Sequence, residues 1–250
     1  MSFGRVPDRG PARLPKGVRC MGPCAARGEP RVGVGRNAVD RGTGHRSVRR
    51  SHDRWMKVLV IGTTGTIGSA VAHALEASRH QVVKASRRGP VKVDIEDPSS
   101  LDALFDEVAD LDAVVCCAAG GPLADLESVT DEEIAAGVQG KLLGQVALVR
   151  RAARRLRDGG SVTLTGGTFA TPLAGGSLGA LVNTGLEGFV RNAADELPRG
   201  LRVNLISPGW IRETLESMGA DGSEGTPVSQ VAQAYVTAVE GTARGRTVRP

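Results

Sequence analysis

The chain has 250 residues, of which 40% are apolar, 24% charged and 3% aromatic, and 32 Lys+Arg against 27 Asp+Glu give a net charge of +5. This length and apolar share suit one α/β domain or two small ones and exclude a chain disordered throughout. The longest unbroken apolar run, residues 113–119, is far too short to cross a bilayer, and four cysteines at 20, 24, 116 and 117 make no small disulfide scaffold. No membrane association is expected, and the cytoplasm is the expected compartment.

Residues 1–55 carry 13 Lys+Arg and 4 Asp+Glu, a net of +9, so residues 56–250 are net −4. The basic balance belongs to the first segment alone. Five prolines and nine glycines interrupt any helical or strand period there, and such a stretch cannot bury enough apolar surface to offset its ordering entropy. It has no apolar core for a secretory signal. No aromatics interleave its arginines, which disfavours nucleic acid as a partner. Cys20 and Cys24 lack a second Cys/His pair at zinc spacing, and His73 and His80 lack partners too, so no metal is expected. The segment is expected to be a disordered extension, or to lie ahead of a true start at Met56.

From Met56 the pattern changes. Residues 57–61 form a short buried-strand run, and 66–78 a helix with Ile67, Ala70, Val71, Ala74 and Leu75 on one face. Strands are predicted at 81–85, 91–93, 112–117, 161–165 and 202–207, with a short one at 246–248. Helices are predicted at 98–108, 131–157, 178–197 and 228–239. Alternating strands and helices with short connections imply a single doubly wound parallel-sheet domain, Rossmann-type, over residues 56–250.

The first strand runs into Gly62-Thr-Thr-Gly65-Thr-Ile-Gly68 and then a helix. In that context Gly62 permits the tight turn, Gly65 lets backbone approach a pyrophosphate, and Gly68 lets the helix pack on the sheet. Thr64, Thr66 and Ile67 complete the expected phosphate-binding turn at the positive end of the helix. The second strand ends in Ser86 and Arg87. An NAD site places an acid there for the ribose 2′-hydroxyl, whereas a 2′-phosphate wants Arg and hydroxyl donors, so NADP is expected over NAD. Asp94 is placed to accept from the adenine amine or to cap the next helix, for which Asp97 stands better.

Read together, Gly62-x-x-Gly65-x-x-Gly68, Asp94, Cys117-Ala-Ala-Gly120, Lys141-Leu-Leu-Gly144, the strand Gly160-Ser-Val-Thr-Leu-Thr165, Leu186-Glu-Gly-Phe189 and Arg202-Val-Asn-Leu-Ile-Ser-Pro-Gly209 followed by Thr214 resemble the short-chain dehydrogenase/reductase superfamily. The resemblance runs from Met56 to near the C-terminus. It implies strand order 3-2-1-4-5-6-7 with the site at the C-terminal strand ends. It implies that Ala118, Ala119 and Gly120 line the adenosine ribose, and that Pro208, Gly209 and Thr214 sit beside the nicotinamide and its phosphate. It also implies a homodimer or homotetramer and a small-molecule substrate.

The family's usual chemistry uses a Tyr, a Lys four residues later that lowers its pKa, and a Ser near the end of the fifth strand. Alignment on Leu186-Glu-Gly-Phe189 puts the Tyr slot at Gly179, the Lys slot at Asn183 and the Ser slot at Gly166 or Gly167. The chain has one tyrosine, Tyr235, and no lysine after Lys141, so no Tyr-x-x-x-Lys exists in it. Lys141 replaces the family's helical Asn. Two functions follow. In one, an NADP-dependent oxidoreductase acts on a small carbonyl or alcohol with displaced groups: Lys141 as proton donor, Thr165, Thr168 or Ser177 orienting the substrate oxygen, and Asn183 on the ribose. In the other, a catalytically inactive NADP-binding sensor or scaffold keeps the fold. The loop at 219–227 is short for a substrate lid, which predicts a small or open pocket.

Overall fold

A computed structural model describes residues 55–118 and 123–250. The expected extension therefore lies outside the described residues except for Trp55, and so do Ala119 and Gly120. Seven strands, β1 (Lys57–Ile61), β2 (Gln81–Ser86), β3 (Val91–Lys92), β4 (Ala113–Cys116), β5 (Ser161–Thr165), β6 (Arg202–Ile206) and β7 (Thr247–Val248), pair parallel in the order β3-β2-β1-β4-β5-β6-β7. This is the order and sheet class expected from the sequence.

Period-two alternation assigns the sheet its two faces. Along β1, Val58 and Val60 join one core layer while Leu59 and Ile61 join the other, all essentially without solvent exposure. Val58 and Val60 pack with Val71 and Leu75 of α1 (Thr66–Ala77) and with Val231, Tyr235 and Val236 of α7 (Val228–Glu240). On the opposite face, Leu59 and Ile61 share a layer with α2 (Pro98–Glu107), α4 (Gly144–Arg155) and α5 (Ser177–Glu196) through Leu104, Leu148 and Leu186. Each such leucine contributes about 1.5–3 kcal/mol by burial. Helix starts follow local chemistry. Asp97 caps α2 by accepting the Ser99 amide at 2.8 Å, with Pro98 in the first turn. Thr130 and Glu133 form a reciprocal capping box on α3 (Asp131–Gly137).

Two elements differ from expectation. The helix predicted over 131–157 is broken into α3, a π-helical turn (Val138–Leu143) and α4. Glycines at 140 and 144 bring this wider turn hard against the β3–α2 connection. A Cβ on Gly144 would stand 2.7 Å from the Ile95 carbonyl, and one on Gly140 2.8 Å from Glu96 Oε1. A short helix α6 (Arg212–Ser217) was not anticipated. It is six residues long and buries none of them, so it leaves no periodic apolar stripe to read.

The glycines separate into those that need their small size and those that do not. A Cβ on Gly68 would fall 2.1 Å from Gly62 O, whereas one on Gly188 in α5 meets nothing within 4 Å. Gly188→Ala is expected to raise stability by about 0.5–1 kcal/mol through helix propensity. Gly68→Ala is expected to lower it by about 2 kcal/mol or more through overpacking. Urea denaturation of both variants checks this, and equal effects would contradict it.

Candidate cofactor cleft and active site

β1 ends at Ile61, and the chain turns sharply at Gly62, whose φ of +90° is a conformation glycine adopts without strain. Its amide donates to Ala85 O at 2.8 Å, tying the turn to β2, and its carbonyl accepts the Gly65 amide at 3.1 Å. A Cβ at Gly62 would meet the Ala118 nitrogen at 2.7 Å. α1 starts directly after Gly65 with no side-chain cap. Its first N–H groups, at Thr66, Ile67 and Gly68, are therefore aimed outward at the positive end of the helix.

A cleft of about 750 Å³ opens above this turn at the C-terminal ends of β1, β2 and β4. It gathers Gly62, Thr64 and Gly65 from the turn, Ser86, Arg87 and Arg88 from the end of β2, Asp94 beyond β3, Ala118 beyond β4, and Lys141. Ser86 Oγ is buried and has no hydrogen-bond partner, while Arg87 and Arg88 are exposed. Asp94 Oδ1 accepts the Glu96 amide at 3.1 Å, and Asp97, not Asp94, caps α2. The cradle that a Cβ would fill and the orphaned Ser86 hydroxyl, in a cleft that Arg87 and Arg88 also line, fit a dinucleotide.

Lys141 enters from the π-helical turn at the far end of the cleft. Its Nζ donates to Gly166 O at 3.3 Å, and burial holds its ammonium below the ordinary lysine pKa. Gln145, fully buried on α4, holds this region together. Its Oε1 accepts the Thr165 amide at 2.9 Å, and its Nε2 donates to Thr165 O at 2.9 Å and to Lys141 O at 3.0 Å. One side chain thus joins the end of β5 to the π turn. Sequence reasoning passed over Gln145. The signal was a lone amide in the apolar stripe of Leu148, Val149 and Ala152.

Other expected site residues lie elsewhere. Alternation along β5 turns Thr165 toward the α1/α7 layer, where its Oγ1 donates to Cys116 O at 2.5 Å and lies 2.5 Å from Tyr235 OH. Burial there pushes the Tyr235 phenol well above its ordinary range, and burial in the opposite layer pushes the Cys116 thiol up to about 12. The lone tyrosine is thus a core residue. Pro208, Gly209 and Thr214 lie on and after the β6–α6 connection, outside the lining of the cleft, with Pro208 O accepting the Thr168 amide at 2.9 Å. Asn183 is 6% exposed and lines a second cleft together with Gly167 and Phe169. The Tyr slot at Gly179 is closed by Phe169, whose ring carbons stand 3.3 Å from where a Cβ would be. Neither cleft is lined by residues 219–227. Among the described residues no group of three or more His, Cys, Asp or Glu side chains could hold a metal ion, and no helix is long and apolar enough to cross a membrane.

A family model described as enoyl-(acyl carrier protein) reductase matches residues 38–242. No curated protein matches the chain. Among solved structures, the protein lin1944 from Listeria innocua is 33% identical with a TM-score of 0.74, over 78% of this chain and 98% of that one. A small-chain dehydrogenase in complex with NADPH is 26% identical with a TM-score of 0.68, over 79% and 97% of the two chains. A short chain dehydrogenase from Burkholderia cenocepacia in complex with NADP is 25% identical with a TM-score of 0.66, over 78% and 95%.

Removing the Gln145 amide takes away the partner of the buried Thr165 N–H and O. Gln145→Leu is expected to lose about 2–4 kcal/mol in urea denaturation. A loss under about 0.5 kcal/mol, typical of a neutral surface change, would contradict the clasp. For Lys141 the lowered pKa means that the folded chain holds this proton less tightly than the unfolded chain. Its charge therefore subtracts stability at neutral pH, and that penalty fades as pH climbs through the folded pKa toward the ordinary value of about 10.4. Lys141→Met is expected to be more stable than wild type at pH 7, with the gap narrowing toward pH 10. A gap independent of pH would mean that the ammonium is not desolvated.

Proposed function

This chain belongs to the short-chain dehydrogenase/reductase family, and on that premise we propose that it is an NADP-dependent oxidoreductase of a small carbonyl or alcohol, working without the family's Ser, Tyr and Lys. The observation that carries the proposal is the placement of a half-buried Lys141 ammonium at the end of the nucleotide cleft, 3.3 Å from the carbonyl of Gly166, one of the two candidate Ser slots.

The turn from Gly62 to Gly68 and the first amides of α1 would hold the diphosphate, and Ser86 with Arg87 and Arg88 would hold the 2′-phosphate. Asp94 and Ala118 would flank the adenosine, together with Ala119 and Gly120. By the family resemblance Pro208, Gly209 and Thr214 would stand beside the nicotinamide. The bound cofactor supplies or accepts the hydride. Lys141 gives a proton to the substrate oxygen on reduction and takes it back on oxidation. A depressed pKa suits that task because it narrows the gap between the acid and working pH. Thr165 has its hydroxyl engaged within the core, which leaves Thr168 and Ser177 as the hydroxyls for the substrate oxygen. The exposed Leu143 and Leu181 would supply apolar surface for the homodimer or homotetramer. The cytoplasm is the compartment proposed.

A second function, a sensor or scaffold that binds NADP without turnover, is favoured by one observation: the Phe169 ring fills the space above Gly179 where the catalytic Tyr would rise.

Titration of the full chain with NADPH and NADH, followed by nicotinamide fluorescence, is expected to show NADPH bound at least about tenfold more tightly, a preference of about 1.4 kcal/mol. Arg87→Ala is expected to erase that preference and leave NADH binding unchanged. Equal binding of both nucleotides by wild type would remove the NADP assignment, and binding of neither would remove the oxidoreductase. Screening carbonyl substrates with NADPH separates the two functions. Lys141→Ala is expected to lower kcat by about 10²–10⁴, whereas unchanged turnover would exclude Lys141 as the acid.

A further inference from the structure

A lysine ammonium rides on a flexible four-carbon stem, so its position is defined only when something holds both the backbone it springs from and the group it touches. The tip of Lys141 has one hydrogen bond, from Nζ to Gly166 O at 3.3 Å, longer than the usual range. Among the described residues no carboxylate pairs with it. Asp94 and Glu96 from the β3–α2 connection, Arg87 and Arg88 from the end of β2, and Cys117 beyond β4 share its cleft. One long bond to a neutral carbonyl is a weak tether. Where the ammonium stands therefore depends on how firmly the backbones of Lys141 and Gly166 are held relative to each other.

Gln145 makes that connection. Its Nε2 donates both to Lys141 O and to Thr165 O, and its Oε1 accepts the Thr165 amide. Thr165 adjoins Gly166, so one carboxamide grips the base of the lysine and the residue next to its acceptor. β5 pairs with β4 only as far as Thr163, and at Thr165 the carboxamide takes the place of a neighbouring strand. Gln145 is fully buried and lines neither cleft, so it touches no ligand itself.

We propose that Gln145 is the positioning residue of this site: its carboxamide fixes where the Lys141 ammonium stands in the cleft. The inference rests on the assignment of Lys141 as proton donor above. A proton donor works at about 3 Å from the oxygen it serves, and a misplacement of about 1 Å is costly in rate. Without the clasp the ammonium turns toward water, and part of the burial that lowers its pKa is lost.

The test is an NMR titration of the full chain, labelled with ¹⁵N and with ¹³C at lysine Cε, from neutral pH through the ordinary lysine range and without nucleotide. The other lysines are Lys16, Lys57, Lys84 and Lys92, and the Lys141 signal is the one missing from Lys141→Met. Gln145→Met keeps the length of the side chain without its polar atoms. It is expected to raise the Lys141 midpoint by about half a pH unit or more, toward the ordinary value of about 10.4. Leu148→Ala loosens the same layer of α4 and leaves the clasp intact. It is expected to lower the melting temperature and leave the midpoint unchanged. In the wild-type chain the Gln145 side-chain amide is expected to shift at the same midpoint as Lys141, a reading that stands even if Gln145→Met does not fold. On any carbonyl that the wild type reduces with NADPH, Gln145→Met is expected to lower kcat by about tenfold or more with KM within about threefold. An unchanged midpoint or kcat in Gln145→Met, an equal rise in Leu148→Ala, or a Gln145 amide indifferent to Lys141 overturns the proposal. The NMR readings need neither nucleotide nor substrate, so failure of the oxidoreductase function appears separately, as absent NADPH binding or absent turnover by the wild type.

Discussion

The carbonyl of Gly62 occupies the volume that a side chain at position 68 would need. That contact seats the first turn of α1 on the end of β1, and the rest of the cofactor cleft is measured from it. With α1 held this close, its free amides sit beside the ends of β2 and β4 rather than a side chain's width away. Ser86, Arg87 and Ala118 can then surround one ligand. The same seating lets Val71 and Leu75 reach the layer built with α7, so the turn that would bind phosphate also anchors half of the core.

A second constraint governs the other end of the cleft. The Lys141 carbonyl accepts from a side-chain donor, and β5 extends beyond the last residue it pairs with β4. Gln145 satisfies both with a single amide. A buried polar network of this kind is stable only when every member is paired. The orientation of Lys141 is consequently coupled to the end of β5, and a lysine whose charge the fold disfavours is retained where charge would be used.

Gly179 and Asn183, the positions to which the family resemblance assigns the Tyr and the Lys, are closely surrounded. The Phe169 ring stands over Gly179, and Asn183 lines a separate cleft. A ring over a glycine fills a volume that would otherwise be a void and forfeit its dispersion contacts.

The sheet order came with the family resemblance; the alternation of strands and helices, the strand–turn–helix at Gly62, the β2 end with its hydroxyl and arginine, and the absence of Tyr-x-x-x-Lys were legible in the residues themselves. These depend on local periodicity, on turns that only glycine makes without strain, and on residue types at short spacing. Tertiary structure alone decided the break in the 131–157 helix, the clasp of Gln145 on Thr165 twenty residues away, the burial of the Thr165 hydroxyl against Tyr235, and the Phe169 ring above Gly179. Each depends on which face of a strand or helix meets which distant neighbour, and on whether a buried polar atom finds a partner there. Those are properties of packing in three dimensions, which no window of sequence contains.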